Sequence, residues 1–122
     1  MPRIEITPEV EGQFVELLAH LYGRVNWGRM NTSKNAWDIW NHRVRAAATR
    51  GTLGEFVSRL CNQLGLQSAP PRAIALMEVL RPYQDVLLTL AYREHIYISM
   101  RAALLARQFR QERREREEEE LS

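Results

Sequence analysis

What most limits how this chain can fold is the recurrence of its apolar residues at three- and four-residue steps between short glycine and proline breaks. Val10, Phe14, Leu17, Leu18 and Leu21 keep that step, and Thr7-Pro8 supplies a cap and a first helical residue, so a helix is predicted from Pro8 to Tyr22-Gly23. A long loop, Gly23 to Ser33, follows. A second helix is predicted from Ser33 or Lys34 to Arg50, with Trp37, Trp40, Val44, Ala47 and Ala48 on one side and Gly51 closing it. Thr52-Leu53-Gly54-Glu55 has the spacing of a capping box. It should open a third helix at Leu53 that buries Leu53, Phe56, Val57, Leu60 and Leu64 and stops at Gly65. Pro70-Pro71 breaks the chain again, and Pro71 starts a fourth helix through Arg81. A fifth should begin near Pro82 and, if unbroken, run past Arg110 on Tyr83, Leu87, Leu90, Ile98, Ala102, Leu105 and Phe109. At about 28 residues it would measure about 42 Å, more than a compact bundle of this size needs. Ile96-Tyr97-Ile98 are strand formers, but no turn or second strand flanks them. The expectation is an all-α, single-domain bundle of about five helices over residues 1–110 with a long C-terminal helix, followed by a charged tail over 111–122 that is frayed or disordered.

Charge is distributed unevenly along those helices. Sixteen of the seventeen basic residues are arginine, Lys34 being the exception. From His20 to Met77 seven arginines and Lys34 face only Asp38 and Glu55, a surplus of six within a whole-chain charge of +2. Arginine stays charged in every environment, and its planar fork of donors matches phosphate or carboxylate two bonds at a time. Arg24 and Arg29 sit in the loop with Trp27, while Arg43, Arg45 and Arg50 lie on the second helix. These five arginines are the candidate phosphate contacts, and Trp27 is a candidate platform for stacking a base. Arg107, Arg110 and Arg114 form a second stripe, but glutamates interleave with the arginines of that region and Glu117 to Glu120 follow. The glutamate tail invites two readings, an acidic segment that folds back over a basic face or one that keeps the protein in solution.

Catalytic constellations are missing. His20, His42 and His95 fall on three different predicted helices, none at metal-ligand spacing from another histidine or from Cys61, so neither a metal nor a cofactor is expected. Asp38 and His42 read as a surface pair with no nucleophile near them in sequence, and no glycine-rich phosphate loop occurs. Cys61 is the only cysteine, inside an apolar segment, and reads as a small core residue. A reducing cytoplasm is the expected setting, with no signal peptide and no membrane-spanning run.

Two stretches, NAWDIWNHRVRAAATRGTLGEFVSRLCNQLGL (35–66) and YREHIYISMRAALLARQFRQERR (92–114), resemble the central and closing helices of the small subunit of class 1 CRISPR ribonucleoprotein effector complexes, especially the RNA-targeting types. The resemblance covers just under half the chain. It implies a non-catalytic subunit that contacts the phosphates of single-stranded RNA or DNA through surface arginines and packs on other subunits and on copies of itself. A second resemblance runs through ITPEVEGQFVELLAHLY (6–22) and NAWDIWNHRVRAAATRGTLGEFVSRL (35–60), which look like the death-domain-like helical adaptors that associate by homotypic contacts. It leaves residues 82–122 without a role. A phage or plasmid structural component whose long helix docks on a protein is a third possibility.

Overall fold

A computed structural model describes residues 6–25 and 51–121. Every regular element among them is helical: α1 (Pro8–Tyr22), α2 (Leu53–Gln63), α3 (Pro71–Leu80), a 3-10 turn over Arg81–Tyr83, α4 (Gln84–Arg93) and α5 (His95–Leu121). The all-α class is as the periodicity predicts. The helix expected over 33–50 lies outside the described residues, as do Trp27, Arg29, Arg43, Arg45 and Arg50.

Local chemistry sets the helix ends. At α1 the Thr7 hydroxyl accepts the Val10 N–H at 3.2 Å, Pro8 fills the first helical position, and Glu9 and Glu11 sit near the positive end of the helix dipole. The Thr52 hydroxyl accepts the Glu55 N–H at 3.2 Å to cap α2, and the Glu55 carboxylate lies over Gly51. At the other end of α2, Gly65 takes a φ of +75°, the Leu66 N–H bonds the Cys61 carbonyl at 2.8 Å and the Gly65 N–H bonds the Asn62 carbonyl at 3.2 Å. That pair of bonds is a Schellman motif, whose left-handed residue any side chain would strain. Gly65→Ala is therefore expected to lower stability by about 1–2 kcal/mol, measured by urea denaturation.

The core is built around α1. Phe14, Leu17, Leu18, Ala19 and Leu21 are fully buried, because α1 is enclosed chiefly by α5 and α3. Ala102 and Ala106 of α5 are also fully buried, small enough for α5 to run close against its neighbour. Phe14 meets Phe56 of α2 with ring centroids 6.2 Å apart in a tilted arrangement. One buried hydrogen bond ties the last turn of α1 to α5: the Tyr22 and Ser99 hydroxyls are 2.7 Å apart. Both groups are satisfied by it, and burial pushes the Tyr22 hydroxyl well above its ordinary pKa. Cys61 is buried too, and burial likewise raises its thiol.

The fifth predicted helix is corrected in two places. Arg81–Tyr83 form a 3-10 turn, and the helix that follows is interrupted at Glu94, with φ −116° and ψ 35°, before α5 begins. Neither glycine nor proline marks the break. The residues after it, Ile96-Tyr97-Ile98, are weak helix formers, so bending the chain there costs little. The bend seats Leu87, Leu88 and Ala91 from α4 and Ile98, Ser99, Ala102 and Ala106 from α5 in the core. At the other end α5 stays helical to Leu121 through the segment from which fraying is expected, and residues 111–121 are all exposed. Its last twelve residues project about 18 Å beyond Phe109 at 1.5 Å per residue.

Candidate functional site

Where α1 ends, three elements converge. The Tyr22–Ser99 bond holds the last turn of α1, the Arg24 N–H bonds the Leu21 carbonyl at 3.1 Å, and buried Val25 draws the chain inward, leaving Arg24 exposed at the turn. Pro70 and Pro71 then start α3, placing Arg72 in its first turn beside fully buried Ala73. From α5, Phe109, Arg113 and Arg116 fall at i, i+4 and i+7 on one side of the helix. Together these residues, with Ala19, His20 and Gly23, enclose a cleft of about 350 Å³.

Four arginines thus line one cleft, and no carboxylate does. The nearest acid is Glu16, whose charge is shared between Arg72 at 3.4 Å and His20 at 3.8 Å. Glu11 is held by Arg101 at 3.3 Å, so these acids of α1 do not neutralise Arg24, Arg113 or Arg116. Those three have no ion-pair partner among the described residues. α1 presents its negative end and α3 its positive end, so the helix dipoles largely offset each other and the guanidinium groups set the sign of the potential.

His20 forms part of the floor, stacked on Phe109 with ring centroids 4.6 Å apart and 19° between planes. Burial, aided by Arg72 and Arg24 and opposed by Glu16, holds its pKa below the ordinary value of 6.5. The folded state therefore favours the neutral ring, and the unfolded chain binds more protons below that value. Thermal stability is expected to fall as pH drops from 6.5 toward 5, and His20→Gln to flatten that part of the profile.

Of the residues singled out from sequence, Arg24 lies in the cleft; Arg29, Arg43, Arg45, Arg50 and Trp27 lie outside the described residues. Arg107 and Arg114 are exposed on another side of α5, while Arg110 is half-buried, with one guanidinium nitrogen buried and without a hydrogen-bond partner. Arg72, Arg113, Arg116, His20 and Phe109 were not legible as one site, although the Phe109–Arg113–Arg116 spacing was the available signal. Among the described residues no group of three histidine, cysteine or carboxylate side chains could hold a metal ion, and no helix is long and apolar enough to cross a membrane. The chain matches no protein-family model, no curated protein and no solved structure.

Proposed function

We propose that the chain is a non-catalytic helical subunit that holds the phosphate backbone of single-stranded RNA or DNA inside a larger cytoplasmic ribonucleoprotein assembly of the CRISPR effector kind. The observation that carries this reading is the convergence of Arg24, Arg72, Arg113 and Arg116 on one cleft that no carboxylate lines. Guanidinium forks hold phosphate oxygens in pairs, and contacts to phosphate position a strand without reading its sequence. The mechanism is electrostatic: counterions leave the strand as arginines replace them.

Membership of an assembly is supported by α5 itself. Tyr97, Ile96, Met100 and Leu104 of α5, with Tyr92 of α4, are 40–62% exposed and follow one another along the outer side of the bend. The same stripe favours the second reading, a homotypic adaptor. Fluorescence anisotropy with labelled single-stranded RNA and DNA at about 50 mM salt separates the two. Saturable binding of both, indifferent to sequence, is expected. Absence of binding, with concentration-dependent self-association in sedimentation that Leu104→Glu abolishes, would replace the proposal with the adaptor.

A further inference from the structure

The cleft has more positive charge than a strand passing through it would use. An internal phosphodiester brings one negative charge, whereas four guanidinium groups from three separate elements surround about 350 Å³. That volume is at the lower end of the range of ligand sites, about 300–1,000 Å³, and suits one terminal nucleotide better than a run of several. Pro70, Pro71 and Gly23 also line it, together with the stacked rings of His20 and Phe109. The first helical bond of α3 is from the Ile74 N–H to the Pro70 carbonyl, at 3.1 Å. Pro71 has no N–H, so the amides of Arg72 and Ala73 open the helix without intrahelical partners at the end that borders the cleft. Such a helix end favours a doubly charged anion over a singly charged one. A phosphate monoester fits these requirements. It has a charge of about −1.5 to −2 at neutral pH and three terminal oxygens, enough to accept forked bonds from more than one arginine.

We infer that the cleft takes the terminal phosphate monoester of a nucleic-acid strand, so that the protein grips a strand by its end. This rests on the nucleic-acid reading above. The four arginines divide the work: Arg72, held by Glu16, and the start of α3 form the fixed side, while Arg24, Arg113 and Arg116, which make no ion pair among the described residues, close on the phosphate.

The test uses the full chain and one single-stranded sequence in four forms: 5′-phosphorylated, 3′-phosphorylated, hydroxyl at both ends, and circular, each labelled internally. One phosphorylated form is expected to bind about tenfold more tightly than the hydroxyl-ended form, and the circle no better than the latter. Which end is preferred identifies the source of the monoester. Arg113→Lys with Arg116→Lys keeps the charge and removes the forks, and should erase the preference while the hydroxyl-ended strand still binds. Equal affinity for all four forms would overturn the inference and leave the phosphate-backbone reading standing, and binding of none would overturn both. A preference unchanged in the double lysine variant would also overturn it, because the end would then be held elsewhere.

Discussion

Arg113→Glu combined with Arg116→Glu is expected to weaken binding of a short single strand on the order of 100-fold at about 50 mM salt. Each single-strand phosphate neutralised contributes about −0.7 to the slope of log affinity on log salt, which at that concentration makes each contact worth about eightfold relative to molar salt. Losing two contacts costs about sixtyfold, and two new negative charges beside Arg24 and Arg72 add repulsion. The fold should survive. Both residues are exposed on α5 beyond the buried Ala106, and glutamate is as good a helix former as arginine, so helical content measured by circular dichroism should not change. Arg107→Glu with Arg114→Glu makes the same charge change on another side of the same helix, and should cost much less. Equal losses from the two pairs would mean that net charge, and not the cleft, governs binding.

Phe14→Ala is expected to cost about 3–5 kcal/mol in urea denaturation, the largest stability effect among single substitutions considered for this fold. Phe14 is fully buried on the central helix, and its ring is one of the contacts joining α1 to α2. Truncation removes the transfer energy of the ring and leaves a cavity that Leu17 and Phe56, themselves at or below 1% exposure, have little freedom to fill. Domains of this size are usually stable by about 5–15 kcal/mol, so the variant should stand close to unfolding at ambient temperature. Binding falls with it, since α1 supplies one wall of the cleft. Phe14→Leu, which keeps most of the volume, should lose far less. A loss below about 1 kcal/mol for the alanine variant would contradict the placement of α1 at the centre of the core.

The helix ends were legible in the sequence because their chemistry is local. Thr7-Pro8, Thr52 with Glu55, Gly65 and Pro70-Pro71 each specify a terminus within a few residues, and the expected ends of α1 and α2 stand at those positions. The buried stripe of α2 follows from its period for the same reason. The break at Glu94 was not legible, because packing of α4 and α5 against the core decides it and no residue there is obliged to end a helix. Nor was the Tyr22–Ser99 bond, whose partners are 77 residues apart.

The cleft was half legible. Arg24 stood out in an acid-poor stretch, whereas Arg113 and Arg116 seemed offset by the neighbouring glutamates. Arg113 and Arg116 fall on the side of Phe109 and line the cleft, Glu115 falls away from it, and Glu112, Glu117 and Glu120, each one turn along α5 from one of these arginines, are not among the residues that line it. Arg72 lies in the same acid-poor stretch, but nothing in the sequence sets it beside Arg24, since that depends on α3 starting beside the end of α1. Sums over stretches of chain conceal this kind of site, because a charge counts by the face it occupies.

The most direct measurement is the salt dependence of single-strand binding, taken for the wild-type chain and for the Arg113→Glu, Arg116→Glu variant. If the cleft arginines displace counterions from the strand, log affinity should fall as log salt rises, by about 0.7 for each phosphate neutralised, and the variant's slope should be flatter than the wild-type slope. A slope near zero, or one that the double reversal leaves unchanged, would contradict a phosphate grip in this cleft.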